Sequence, residues 1–150
     1  MSPRASHGFT IVELIMVMII AGIMAAFVAP RFMDNSDIQA RGFADQVQAS
    51  LRYAQKTAIA QRRFVCVAFT SSSITLTINA TATCPGGALA APDGKPAYVV
   101  TAPSGTTFST MPTDFSFDAL GRPGPNVQQS ISIAGAASAI TVEAETGYVH

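Results

Sequence analysis

The chain has 150 residues and sets nine Lys and Arg against nine Asp and Glu, so one domain is expected and no net charge calls for nucleic acid or an acidic membrane surface. Apolar residues make up 49% of it and charged residues only 12%, an imbalance that the segment before Arg31 largely creates. With histidine only at His7 and His150, and no HExxH, paired CxxC, phosphate loop or nucleophile elbow, no catalytic constellation, metal site or cofactor is expected.

Met1 to Gly8 is a short start that carries Arg4. Phe9 to Pro30 is an apolar run with a single charge, Glu13. As a helix rising ~1.5 Å per residue it would span about 33 Å, close to the ~30 Å core of a bilayer. Arg4 ahead of the run favours a cytoplasmic N-terminus with the rest of the chain outside. Three readings compete. A cleaved secretory signal has a shorter apolar stretch, and its best site here, Phe27–Ala29, is followed by Pro30, which is awkward for cleavage. A plain anchor accounts for the length but not for Glu13, since a carboxylate deep in lipid costs on the order of 2.5–3.5 kcal/mol.

The third reading uses the whole stretch. Gly8-Phe9-Thr10-Ile11-Val12-Glu13-Leu14, followed by an apolar helix, resembles the type IV pilin and pseudopilin signature. The resemblance implies that residues 1–8 are a leader and that a prepilin peptidase cuts between Gly8 and Phe9 and methylates the new N-terminus at Phe9. Glycine suits the cut because a protease can approach its backbone closely. It implies, too, that Glu13 pairs with the N-terminal amine of a neighbouring subunit, so that a carboxylate costly alone is compensated on assembly. Pro30 matches a helix-loosening proline common in that family.

Residues 31–63 read as a stem helix. Phe43, Val47 and Leu51 recur every four residues, and Ala54 and Ala58 continue the stripe, while Arg41, Asp45, Arg52 and Lys56 lie mostly off it. This is an amphipathic helix with one face to bury. Gly42 weakens it by up to about 1 kcal/mol and, with Pro30, marks an expected bend or melted turn. Ala49-Ser50-Leu51-Arg52-Tyr53-Ala54-Gln55 is similar to the stem of the GspH/FimT group of minor pilins and pseudopilins.

After Arg63 the period changes, and 64–150 reads as a β-rich head. Phe64–Phe69 and the alternating Ile74–Ile78 are strands around a turn at Ser71–Ser73. A loop from Asn79 to Pro96 follows. Tyr98–Thr101, Thr106–Ser109 and Phe115–Phe117 are further strands, and Gly121–Pro125 is a turn cluster. Ser130–Ala134 and Ala139–Glu143 suggest a hairpin about Gly135, and Thr146–Val149 a last strand. One helix followed by many strands gives α+β, a long N-terminal helix packed by its second half against an antiparallel sheet. Phe115–Pro123 and Ile140–Val149 look like late strands of the GspH/FimT domain, and the combination looks like a minor pilin of the mannose-sensitive haemagglutinin type.

Cys66 and Cys84 are the only cysteines. Outside the cytosol a bridge between them is the default, worth roughly 3 kcal/mol by chain entropy. Two unpaired buried thiols are the alternative. Asp114 and Asp118 could form a carboxylate pair but more often such residues cap turns and hold strand ends. The resemblance implies partnership with other pilin or pseudopilin subunits, the prepilin peptidase, an inner-membrane assembly platform and, before assembly, the lipid bilayer. It implies a location in the inner membrane and then in a pilus or pseudopilus. DNA uptake is the rival function, since some pilins of the FimT kind bind DNA through late arginines. Affinity for DNA needs several phosphate contacts, and the sheet region offers only Lys95 and Arg122, so DNA is disfavoured as a partner. A major pilin is the other alternative.

Overall fold

A computed structural model describes residues 10–33 and 36–150, apart from the side chains of 26–33. The chain divides into two compact units, Met1–Asn35 and Ser36–His150, each considered by itself.

In the first unit α1 runs Ile11–Met33. Thr10 caps it: its hydroxyl oxygen accepts the Glu13 N–H at 3.3 Å, and its carbonyl accepts the Leu14 N–H at 3.1 Å. Thr10-Ile11-Val12-Glu13 thus carries the spacing of a capping box, with the threonine half formed. From Ile11 to Ala25 every side chain is exposed. Among the described residues no helix is long and apolar enough to cross a membrane. The backbone stays helical through Pro30 to Met33, so the break expected at Pro30 is not found. The fixed φ of proline suits a helix, and its missing N–H removes one intrahelical bond without ending the helix here.

The second unit opens with α2, Ser36–Gln61. Ala40, Phe43, Val47, Ser50, Leu51, Ala54, Thr57 and Ala58 are its buried face, so the expected stripe is the one that packs. Gly42 lies inside α2 on the exposed side, with nothing within 4 Å of a built Cβ. It does not break the helix. Its cost of about 1 kcal/mol is outweighed by the packing of Phe43 and Val47 beside it, each burial contributing roughly 1.5–3 kcal/mol. At the C-terminus Arg62 turns into the left-handed region, φ +49°. The Arg62 N–H donates to Ile59 and the Arg63 N–H to Ala58, a Schellman reversal with arginine in the usual glycine position.

That reversal sends β1, Phe64–Thr70, back along α2. It pairs with β2, Ser73–Asn79, and further strands follow: β3 Gly87–Ala88, β4 Tyr98–Thr101, β5 Phe115–Phe117 and β6 Pro123–Gly124. The sheet order is β3-β2-β1-β5-β6, with β4 also on the β2 edge. The strand pairs are antiparallel, and the register sets Val65 opposite Ile78, Val67 opposite Leu76 and Phe69 opposite Ile74. These six side chains are buried, and with Phe115 and Phe117 they meet the α2 stripe. A second small sheet pairs β7, Gln129–Ile131, with β8, Ile140–Val142.

The departures from expectation are local. The strand expected at Thr106–Ser109 shrinks to a bridge between Phe108 and Ile133, because Phe108 is drawn inward against Phe43 and Phe69. The last strand is reduced to a bridge between Val149 and Val142. The loop after Asn79 contains β3, and the turn cluster contains β6.

Candidate functional site

The residues singled out from sequence do not converge on one pocket. Gly8 and Phe9, the expected cleavage and methylation positions, lie outside the described residues, as do Arg4 and His7. Glu13 stands on the third residue of α1, exposed among Ile11, Val12 and Leu14. Its carboxylate is at the positive end of the helix dipole, which favours negative charge there. Thr10 and Glu13, three residues apart, carry the capping spacing that helps to hold this end, a signal present in the sequence beside the carboxylate.

An exposed helix that is apolar all round requires a cover, either lipid or other helices. Ile11 is 78% exposed and Met18 67%, values that water alone does not stabilise. The Ile11–Ala25 surface is therefore a contact surface, and its one charge, Glu13, is placed where a cation could reach it.

In the second unit Cys66 and Cys84 form a disulfide. Cys66 faces away from α2, between Val65 and Val67, which face it. The bridge ties the loop after β2 over the outer sheet face. Gly86 sits close enough that its N–H donates to the Thr77 hydroxyl at 3.2 Å. Beneath this loop lies an open groove of about 420 Å³, lined chiefly by Ala68, Thr75, Thr77, Cys84, Pro85 and Ser116. Asp114 is the one charged residue of its lining and is bonded to the Phe69 N–H, so the groove holds no acid–base pair.

Asp114 and Asp118 are occupied by structural work. Asp114 Oδ1 accepts the Phe69 N–H at 2.8 Å, holding the end of β1. Asp118 Oδ1 accepts the N–H groups of Leu120 and Arg122 at 2.8 and 2.9 Å, forming the turn before β6. His150 Nε2 lies 3.0 Å from Glu143 and its ring stacks on Tyr148. Lys95 Nζ lies 2.8 Å from Asp93. That bond lowers the Asp93 carboxyl and raises the Lys95 ammonium relative to their ordinary values. Among the described residues no cluster of three or more His, Cys, Asp or Glu could hold a metal ion.

A polar network in the second unit was not legible in the sequence. Gln55 Nε2 donates to the carbonyls of Gly121 at 3.2 Å and Thr146 at 2.9 Å. Tyr53 stacks on Tyr98 and donates its hydroxyl to Ala90. Both residues reach from α2 to loops far along the chain, a pairing that helix periodicity does not encode.

Comparison with known proteins follows this division. Residues 3–29 match the prokaryotic N-terminal methylation motif, and residues 44–146 match the family of the type II transport protein GspH. The type IV narrow pilus major component PilA5 of Thermus thermophilus is 38% identical over 58 residues, 39% of this chain and 50% of that protein. The matched segment thus spans half of that relative's length. Two crystal structures of the type IV minor pilin FimU of Pseudomonas aeruginosa share the fold. One has a TM-score of 0.56 at 15% identity, over 77% of this chain and 90% of FimU. The other has a TM-score of 0.53 at 16% identity, over 73% and 90%.

Proposed function

The chain belongs to the family of the type II transport protein GspH, within the type IV minor pilins and pseudopilins, and from that premise we propose that it is a minor filament subunit acting in priming or capping assembly. Members of this family are structural subunits and not enzymes. The observation that carries the reading is α1: from Ile11 to Ala25 it is exposed and apolar all round, and the single charge of that stretch, Glu13, stands on the third residue of the helix.

Residues 1–8 are taken as a leader removed between Gly8 and Phe9, with methylation at Phe9. Residues 9–30 then serve as the assembly helix, 31–63 as the stem and 64–150 as the head. Before assembly the apolar run crosses the inner membrane once, N-terminus in the cytoplasm and head in the periplasm. In the fibre it packs against other pilin helices, and Glu13 pairs with the Phe9 amine of a neighbour. Such a pair is favourable only when both charges are present in the dry interior. The prepilin peptidase and an inner-membrane platform are the partners this route requires.

The test is the intact mass of the protein recovered from membranes of a strain with active prepilin peptidase. A chain beginning at Phe9 with one added methyl group supports the proposal. A chain beginning at Met1 reduces α1 to a plain anchor, and one beginning at Pro30 makes the protein a secreted one. Counting the subunit in sheared fibres separates a minor from a major role, the latter suggested by the PilA5 likeness.

A further inference from the structure

The larger sheet leaves the outer edge of β4 open. The register sets Tyr98 opposite Leu76, Val99 opposite Thr75, Val100 opposite Ile74 and Thr101 opposite Ser73, and among the described residues β2 is the strand that β4 pairs with. Just beyond, the Ala102 N–H donates to the Ser72 carbonyl at 2.8 Å. Bonds across an antiparallel pair recur at every second residue. Val100 and Tyr98 therefore turn their N–H and C=O groups towards β2, and Val99 and Thr101 turn theirs away. Among the described residues no hydrogen bond reaches these outward groups. Val99 is 49% exposed, and Thr101 is exposed beside it.

Sheet edges are ordinarily blunted by brevity, proline or charge. The edge strands β3 and β6 have two residues each, and β6 begins with Pro123. Tyr98-Val99-Val100-Thr101 is twice as long and carries neither charge nor proline. It is also held in place. Tyr98 stacks on Tyr53, and its hydroxyl lies 3.1 Å from that of Ser50 on α2. The loop before β4 folds on itself, the Ala91 N–H donating to the Lys95 carbonyl at 2.9 Å and the Gly94 N–H to the Ala91 carbonyl at 3.0 Å.

Between this loop, the edge and α2 lies a groove of about 400 Å³, lined by Gln46, Pro92, Asp93, Lys95 and Val100 among others. Asp93 and Lys95 pair with each other, so the groove requires no charge of what fills it. The open edge presents two donors and two acceptors at the spacing of a strand. Peptide backbone is the chemistry that complements it.

We propose that β4 takes an extended, uncharged segment of a neighbouring, non-identical fibre subunit as an added antiparallel strand. The segment exchanges backbone bonds with Val99 and Thr101, and the residue between those bonds enters the groove beside Val100 and Gln46, because successive side chains alternate between faces. A second copy does not fit this edge: antiparallel pairing would point its α2 the opposite way and carry its Ser36, where the apolar segment joins, to the wrong side of a shared membrane. The inference rests on the filament-subunit reading. Four backbone bonds are weak alone, but helix packing in a fibre holds neighbours at a high effective concentration.

The full chain is tested in cells that assemble fibres, with a photoreactive residue substituted at Val99. Cross-links are expected to a different subunit of the sheared fibres, mapped to an uncharged extended segment. Adding Thr101→Pro is expected to reduce them about tenfold, since the ring removes an outward donor and blocks the incoming carbonyl. Adding Thr101→Val, which keeps the backbone donor, is expected to leave them within about twofold. Both variants are expected to unfold at the midpoint of the parent chain, because the Thr101 N–H holds nothing within the sheet. Unchanged cross-links with Thr101→Pro, an equal loss with Thr101→Val, or cross-links chiefly to copies of this chain or to proteins outside the fibre would overturn the proposal. So would a chain present in fibres without cross-links, or a large fall in the Thr101→Pro midpoint, which would place that N–H inside the sheet. Absence of the parent chain from fibres defeats the filament reading instead, which keeps the two failures apart.

Discussion

The Arg52 guanidinium holds the Val149 carbonyl oxygen with two donors, Nε at 3.2 Å and Nη2 at 3.1 Å. Val149 is buried and bridges Val142, and His150 and Thr141 exchange both backbone bonds beside it. Arg52 therefore fastens the late chain to the exposed side of α2. Arg52→Ala is expected to lower stability by about 1–2 kcal/mol, and Arg52→Lys by nearly as much, since an ammonium lacks the fork. Urea unfolding of both variants checks this. Full recovery with lysine would mean that charge, not geometry, makes the contact.

Gly147 has φ +64°, and a Cβ there would run into the Gly121 carbonyl. Both turns are held by Gln55, so neither can retreat without losing a bond. Gly147→Ala is expected to cost more than about 2 kcal/mol. Thermal unfolding reads it, and Gln55→Ala should partly relieve the added cost by freeing the Gly121 turn.

Arg62→Gly should act in the opposite direction. Replacing a strained arginine by glycine at the Schellman position is expected to raise stability by about 1 kcal/mol. A drop in the unfolding midpoint would show that the arginine side chain contributes to folding after all.

The bridge between Cys66 and Cys84 closes a sequence separation of 18 residues. Replacing both by alanine is expected to cost about 3 kcal/mol on the chain-entropy model. The parent chain unfolded in reductant should approach the double variant. A gap between them would indicate that the missing sulfur atoms matter as packing.

The Asp93–Lys95 pair sets a pH expectation. The lowered Asp93 contributes stability above the usual carboxylate value of about 4, lost as pH falls through its depressed value. The raised Lys95 contributes below about 10.4, lost as pH rises through its elevated value. Both groups are fully exposed, so solvent screening keeps the effect small. Unfolding midpoints of Asp93→Asn and the parent chain should coincide closely from pH 5 to pH 9. A separation inside that window would place the pair in a larger network.

Much of the architecture was legible because periodicity reports burial. The Phe43, Val47, Leu51, Ala54, Ala58 stripe and the Ile74, Leu76, Ile78 alternation mark the two faces that meet. The disulfide was open to two readings until Cys66 on β1 and Cys84 in the loop were found bonded. What failed was the reach of local signals. Pro30 and Gly42 read as breaks on propensity, but the helices continue through both. Phe108 read as strand and is a core plug held by rings from α2 and β1.

The Arg52 clasp has a mechanical consequence. Any tension carried along the backbone from the apolar segment enters the second unit at Ser36 and passes directly into α2. Val149 is tied to the middle of that same helix, and β1 leaves its far end through a two-residue reversal. A pull on α2 therefore loads the late strands in shear along with the central one. The unit should yield as a whole at high force and should not unzip strand by strand.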